Sequence, residues 1–304
     1  MITDRPALGV IFMLGFCIIA PLGDAMAKII SETIPVGQLL LVRFGIQAAI
    51  LIPIIWLTNR RWRMNYRILG LTITRTILHI IGIGCMFTSL YYLPLADAIA
   101  IAFVMPFISL LLGKFALSEE VGRRRLIACT IGFLGTLMVI QPSFITVGWH
   151  ALWPLGVAVS FALFMLITRK IAKETDPVSL QAVSGSVECL ILIPPIVFSH
   201  SNDIELLSLV MPSVAHLWLL GLVGVLGTFA HLLITWSLRL APSTTLAPMQ
   251  YLEIPIATLL GWLIFGELPN CIASLGIMIT ILAGTYIIFR EQAIVRQSVS
   301  NYKH

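Results

Sequence analysis

The chain has 304 residues, 59% of them hydrophobic and 11% charged, with a formal net charge of +5 and a mean hydropathy of +1.00. A water-soluble domain carries about 25% charged residues, so this chain cannot cover a water-facing surface. That excludes a soluble enzyme and a nucleic-acid-binding protein, and it makes the placement of the charges more informative than their sum.

Hydropathy divides the chain into ten apolar stretches, at about 8–30, 36–57, 68–90, 95–117, 125–141, 151–168, 178–199, 213–237, 244–265 and 271–290. About 20 residues at 1.5 Å rise cross a ~30 Å hydrocarbon core. Backbone polar groups in lipid must be satisfied within the segment, so helices are predicted; a barrel would show ~10-residue alternating strands instead. The first stretch is too long for a removable signal peptide and lacks a small-residue cleavage site. The tail after Arg290 is short and polar.

Lys and Arg give an orientation. With the N-terminus inside, the inside segments hold Arg5; Arg60, Arg61, Arg63 and Arg67; Arg123, Arg124 and Arg125; Arg169, Lys170 and Lys173; Arg239; and Arg290, Arg296 and Lys303. These are fifteen of the nineteen basic residues, and the outside loops hold none. Lys28, Arg43, Arg75 and Lys114 lie in or at the ends of helices. Basic residues retained on one side place both termini in the cytoplasm, and the arginine clusters read as topological anchors.

The chain also repeats itself. "SETIPV" at 31–36 is echoed by "KETDPV" at 173–178. Lys28-Ile29 and Lys170-Ile171 precede the two copies at the same offset, and Ile50-Leu51-Ile52-Pro53 and Ile191-Leu192-Ile193-Pro194 follow them. Pro106, Glu119 and Gly135 find counterparts in Pro255, Glu267 and Gly284. Five predicted helices separate the copies. An odd number puts the halves in opposite orientation, an arrangement that lets two similar units rock around one midplane site. The expected fold is an all-α membrane protein of ten transmembrane helices in two inverted five-helix repeats, residues 1–145 and 146–304.

With ten helices, inverted halves, and the cores "PFISLLLGKFALSEE…GFLG" at 106–135 and "PIATLLGWLIFGE…GIMITILAG" at 255–284, the chain resembles the EamA-type drug/metabolite transporters over essentially its whole length. "LLLVRFG" and "TRTILHIIGIGCMF" are similar to a branch that includes S-adenosylmethionine and riboflavin uptake carriers. The resemblance implies a secondary transporter of a small organic metabolite in a bacterial inner membrane, with a central cavity reached by Arg75 and Glu253.

Polar residues inside apolar helices are costly, about 2.5–3.5 kcal/mol for a charge at the centre, and so mark partners or wet cavities. The expected substrate contacts are Arg43, Arg75, His79, Trp236, Gln250, Tyr251 and Glu253. An arginine would meet a carboxylate or similar anionic group, and the polar aromatics a heterocycle or amide. Asp24, Glu188 and Glu253 are the expected proton carriers if a proton is coupled. Set against these roles, Arg43 has a structural pairing with Asp24 or Glu188 open to it, and His79 an interhelical hydrogen bond. His231 ranks below the others. Asp97 reads as a helix N-cap, and Glu119 and Glu267 as structural groups at helix ends. Trp56, Trp62, Trp149, Trp153 and Trp218 read as interfacial.

No Walker loop, HExxH or GxSxG occurs, and the five cysteines have no paired spacing. ATP-driven transport, membrane proteolysis and a zinc site are therefore not indicated, and no cofactor is expected. Expected partners are the bilayer, a small-molecule substrate and possible coupled protons; nucleic acid is not among them, and an oligomer is not required. A membrane-embedded enzyme using the same buried set, a channel, and an exporter of drugs or amino acids are the competing readings.

Overall fold

The computed structural model describes residues 5–60, 62–118, 122–199 and 205–301. Among these the chain is all helical: α1 (Pro6–Ile30), α2 (Val36–Leu57), α3 (Tyr66–Tyr92), α4 (Leu95–Ala102), α5 (Met105–Ala116), α6 (Arg123–Val147), α7 (Trp153–Ala172), α8 (Pro177–Ser199), α9 (Val214–Leu240), α10 (Ser243–Leu246), α11 (Glu253–Phe265) and α12 (Cys271–Asn301). Glu119, Arg61 and Lys303 lie outside the described residues, as do the side chains of Arg124, Arg125, Arg290 and Arg296.

Among the described residues eight segments are long and apolar enough to cross a membrane, so this is a multi-pass membrane protein. The difference from the expected ten has two sources. The 47-residue apolar stretch Leu126–Ala172 counts once, although it holds both α6 and α7, separated by a 3-10 turn at Gly148–Leu152. Gly148 has φ +64° and ψ −140°, a conformation only glycine adopts readily. The last segment, Cys271–Tyr286, is a shorter apolar helix.

Two segments read as continuous from the sequence are broken. The stretch 95–117 stops at Ala102 and restarts at Met105, one residue before Pro106. Proline has no N–H to donate and disfavours helix in the residue before it. The stretch 244–265 is a single α-turn, then a 3-10 segment Ala247–Leu252 with proline at its start, then α11. Glu253 thus opens a helix rather than sitting inside one.

The chief packing pairs are α1 with α9, α3 with α7, α2 with α8 and α6 with α12; α4 lies against α11. Small residues let the backbones close: a methyl group at Gly135 would stand 2.7 Å from the carbonyl oxygen of Gly276. Large apolar side chains such as Trp56, Leu57, Ile145 and Trp218 are exposed on the outer surface, where lipid solvates them.

The connecting turns gather at two ends. At the N-terminal end, Arg5 N bonds Leu240 O at 2.8 Å, Arg60 pairs with Asp176 at 2.7 Å and Arg67 with Glu174 at 2.8 Å. At the opposite end, Gln38 Nε2 donates to Val210 O at 2.9 Å, the Tyr92 and His150 rings stack at 3.9 Å, and Lys28 pairs with Glu267 at 2.8 Å. Glu267 is structural, as expected. Asp97 is not an N-cap: Pro94 holds that position, and Asp97 instead accepts a hydrogen bond from the Ser143 hydroxyl at 3.0 Å.

Candidate functional site

α3 carries the first part of the site. Arg75 and His79 are one turn apart and both fully buried, because residues i and i+4 share a helix face. Arg75 donates from Nε to the Thr168 hydroxyl at 2.7 Å and from Nη1 to the Ser184 hydroxyl at 2.6 Å. Its guanidinium lies 4.2 Å from the centre of the Phe164 ring, a cation–π contact. His79 Nδ1 is 2.5 Å from Glu188 Oε1, both residues being fully buried. The expected partner of Glu188 was Arg43; α3 lies against α8 and delivers His79 to the carboxyl instead.

α2 and α9 form the next layer. Arg43 Nη2 lies 3.1 Å from His231 Nδ1, and Arg43 has no ion pair with Asp24 or Glu188. The same His231 Nδ1 also lies 3.0 Å from Gly227 O, so it faces one group that can only donate and one that can only accept. The His231 and His79 rings are 4.3 Å apart, which joins the two layers. Gly227 makes room: a methyl group there would stand 2.7 Å from Arg43 Nε. Toward the N-terminal end the polar network continues without a gap. Gln181 Nε2 donates to His231 O at 2.6 Å and to the Thr235 hydroxyl at 2.8 Å, and Gln47 Nε2 donates to Gln181 O at 2.8 Å.

Beside this network is a cavity of about 70 Å³. Its wall comes from α1, α2, α3, α4, α7, α9, the start of α11 and the break between α4 and α5. It includes Asp24, Arg43, His231 and Glu253 together with Phe16, Phe87, Phe103 and Phe161. Several buried polar atoms at the site have no partner among the described residues: Arg43 Nη1, Arg75 Nη2, His79 Nε2, Glu188 Oε2, His231 Nε2 and Glu253 Oε1. A buried polar group left unsatisfied costs about 1–3 kcal/mol, more when charged, which makes this concentration the candidate binding site.

The structure therefore divides the expected residues. Asp24, Arg43 and Glu253 line the cavity. Arg75, His79 and Glu188 stand behind its Arg43–His231 wall. Gln250 is buried with Nε2 3.4 Å from Met165 Sδ, and buried Tyr251 has its ring 5.6 Å from that of Phe103. Trp236 is apart, half-buried between Phe12 at 6.3 Å and the Arg239 guanidinium at 5.6 Å. Thr168 and Ser184, which hold Arg75, carry no sequence signal: isolated hydroxyls are common in membrane helices. No His, Cys, Asp or Glu cluster among the described residues could hold a metal.

An all-helical membrane protein with a largely apolar cavity between its helices, into which Asp24, Arg43 and Glu253 project, has an architecture suited to a solute transporter. The chain belongs to the EamA-like transporter family, whose model matches residues 7–141 and again 148–290; it is a transporter and not an enzyme. It is 23% identical over 284 residues, 93% of each chain, to the S-adenosylmethionine uptake transporter of Rickettsia prowazekii (strain Madrid E). It is 25% identical over 290 residues, 94% of each chain, to a riboflavin transporter of Vibrio cholerae serotype O1. A crystal structure sharing 17% identity superposes with a TM-score of 0.70 over 93% of this chain and 97% of the other, and shows the fold alone. These relatives match the branch expected from the motifs.

Proposed function

We propose that this protein is a secondary transporter that moves a carboxylate-bearing or cofactor-like metabolite across the bacterial inner membrane by alternating access. Its units are ten membrane helices in two inverted repeats, residues 1–145 and 146–304, with both termini cytoplasmic. The observation that carries the reading is the cavity between the helices with unpartnered Arg43 and Glu253 atoms in its wall. A channel would need a continuous polar path, and an enzyme would have no use for a repeat.

Three findings support the inverted repeat. The family model matches twice in tandem. The helix breaks before Pro106 and around Ala247–Leu252 fall in matching segments of the two halves; interrupted helices at the repeat interface are where such transporters bind solute and ions. Exchanging the halves converts the α1–α9 contact into the α7–α3 contact and leaves α2–α8 and α6–α12 in place.

In this scheme Arg43 receives the anionic group. Arg75, His79 and Glu188 form the charged floor that becomes accessible in the alternate state, with Gln250, Tyr251 and Trp236 on the moving wall. Asp24, Glu188 and Glu253 are the groups that exchange a coupled proton. One chain supplies the whole cavity, so a monomer suffices.

Purified protein in liposomes, given labelled S-adenosylmethionine, riboflavin and amino acids in turn, tests this. Saturable flux of at least one solute, recovered chemically unchanged, is expected. Non-saturable leak, or chemical conversion of the solute, would overturn the proposal.

A further inference from the structure

We infer that the Lys28–Glu267 ion pair is a gate of the transport path. It closes the cavity off from an open trough at the end of the bundle remote from the N-terminus, the outer end in the proposed orientation. The inference rests on the transporter reading and adds the element that must move.

The cavity holds about 70 Å³, well below the roughly 300–1,000 Å³ of sites that take drug-sized ligands. A metabolite therefore enters only after the helices around the cavity part. The two ends of the bundle are not equally placed to do so.

At the end remote from the N-terminus the barrier is thin. Two grooves of about 560 and 670 Å³ share Ser31, Glu32, Tyr91 and Tyr92 and so form one trough. Asp24 lines the cavity and Lys28 lines the trough. They are four residues apart on α1 and share its face. On α3 the same spacing separates Phe87 in the cavity wall from Tyr91 in the trough. Past the α3–α4 turn, Pro94 lines the trough and Ile99 the cavity. Four or five residues at 1.5 Å rise is ~6–8 Å, so about one helical turn divides the two spaces. The Lys28–Glu267 pair lies within that turn, with the Lys28 ammonium 5.0 Å from the centre of the Phe265 ring and buried Leu90, Leu93 and Leu95 around it.

Toward the N-terminal end the barrier is thick. The cavity wall reaches Phe16 on α1, Phe161 on α7 and His231 on α9, while those helices run on to Pro6, Ala172 and Leu240. Nine to eleven further residues make ~14–17 Å. That stretch is closely packed. The Ser237 hydroxyl donates to Gly9 O at 2.6 Å, and a methyl group at Gly9 would stand 2.6 Å from Ala241 Cβ.

The pair also has the chemistry of a reversible closure. Lys28 and Glu267 both border the trough. Once parted, each charge is solvated by water there, which is why well-hydrated ion pairs are weak and easily broken. Lys28 also donates to Leu93 O and Glu267 accepts from Leu95 N. Releasing the pair thus frees the α3–α4 turn, and with it α4, which carries the cavity residues Ile99 and Ala102.

The test reads access to the cavity. Ala20, a small residue of its wall, is changed to cysteine as the reporter. Exposed Cys271 is replaced by serine, and the protein without the reporter gives the blank. A small membrane-impermeant methanethiosulfonate is applied to each face of vesicles in turn; the trough side is the one from which a cysteine at Glu32 labels. Labelling reports the population of the open form. Lys28→Met and Glu267→Gln should each speed labelling of Ala20→Cys from the trough side about fivefold or more, with no change from the other side. Lys28→Arg should keep the rate within about twofold, and exchanging the two charges, Lys28→Glu with Glu267→Lys, should restore part of the slow rate. An unchanged rate in the folded variants would overturn the gate, and so would a rise from both sides, which would mean general loosening. If melting or size-exclusion profiles show the variants misfolded, Ala20→Cys with the pair intact decides. The thin barrier then requires labelling from the trough side to be about tenfold faster than from the other side, and equal or reversed rates would overturn the gate. Solute flux through the unaltered protein is measured alongside. Saturable flux with a failed labelling result removes the gate and leaves the transporter reading standing; absence of flux for every solute tried overturns both.

Discussion

Lys28 Nζ lies 2.8 Å from each carboxylate oxygen of Glu267, and it also donates to Leu93 O at 3.0 Å. Glu267 Oε2 in turn accepts from Leu95 N at 3.3 Å. This one ion pair ties the end of α1, the α3–α4 turn and the residues after α11 across the end of the bundle remote from the N-terminus. The Lys28 side chain is 12% exposed and that of Glu267 32%, so the pair is better shielded than an exposed pair worth 0–1 kcal/mol. Lys28→Met and Glu267→Gln should each lower stability, and a double-mutant cycle should return a coupling of about 1 kcal/mol. Additive effects of the two substitutions would show that the tie carries no energy.

Cysteines placed at Glu32 and at Glu174, in the two echoed phrases, should react with a membrane-impermeant thiol reagent from opposite sides. Glu174 pairs with Arg67 at an exposed position, so its loss should cost little stability. Labelling of both positions from one side would end the inverted-repeat reading.

Gly227 lies beside the Arg43 guanidinium on α9. Gly227→Ala would put a methyl group 2.7 Å from Arg43 Nε, too near for either to stay in place. Helix propensity alone favours alanine by about 1 kcal/mol, so the helix should persist while the guanidinium shifts. Affinity for carboxylate-bearing solutes should fall about tenfold or more, with melting changed by only a few degrees. Unchanged affinity in a folded Gly227→Ala protein would remove Arg43 from solute binding.

Arg75 is outside the cavity wall and is held by Thr168 and Ser184. Contact with solute therefore requires the alternate state of the transport cycle. Arg75→Lys keeps the charge but loses the fork that reaches both hydroxyls and should retain partial transport. Arg75→Ala should lose ~2 kcal/mol or more of solute stabilisation, in line with truncated buried charges. Normal flux through folded Arg75→Ala would confine Arg75 to bracing α3 against α7 and α8.

Glu253→Gln mimics a protonated carboxyl. If Glu253 carries the coupled proton, solute and proton affect each other's binding reciprocally. Accumulation driven by a pH gradient should then stop while exchange at equal pH continues. A residue that only braces the start of α11 would impair both together. Accumulation that survives in Glu253→Gln would pass the coupling role to Asp24 or Glu188.

The membrane class, the all-helical character and the transporter family were legible in the sequence because they rest on properties summed over long windows. Hydropathy over some twenty residues needs no partner to be read, and neither do the echo of "SETIPV" in "KETDPV" or the Pro-to-Gly spacing near the end of each half. The strong cost of burying charge likewise singled out Asp24, Arg43, Arg75, His79, Glu188 and Glu253 one by one. Which of them meet was a different matter. Arg43 turned to His231 rather than to Asp24 or Glu188, Glu188 turned to His79, and Trp236 stayed out of the cavity. Those outcomes depend on helix rotation and on which helices are neighbours, and a rotation of one residue, about 100°, changes the face on which a side chain lies. The helix breaks at Phe103–Val104 and at Ala247–Leu252 had prolines as local signals, but only packing decided whether each became a bend or a gap. The sequence by itself determined that charged groups would be buried in this membrane protein. Tertiary structure alone decided that Asp24, Arg43, His231 and Glu253 surround one cavity, because pairing energies between helices are set by contacts among residues as far apart as Asp24 and Glu253.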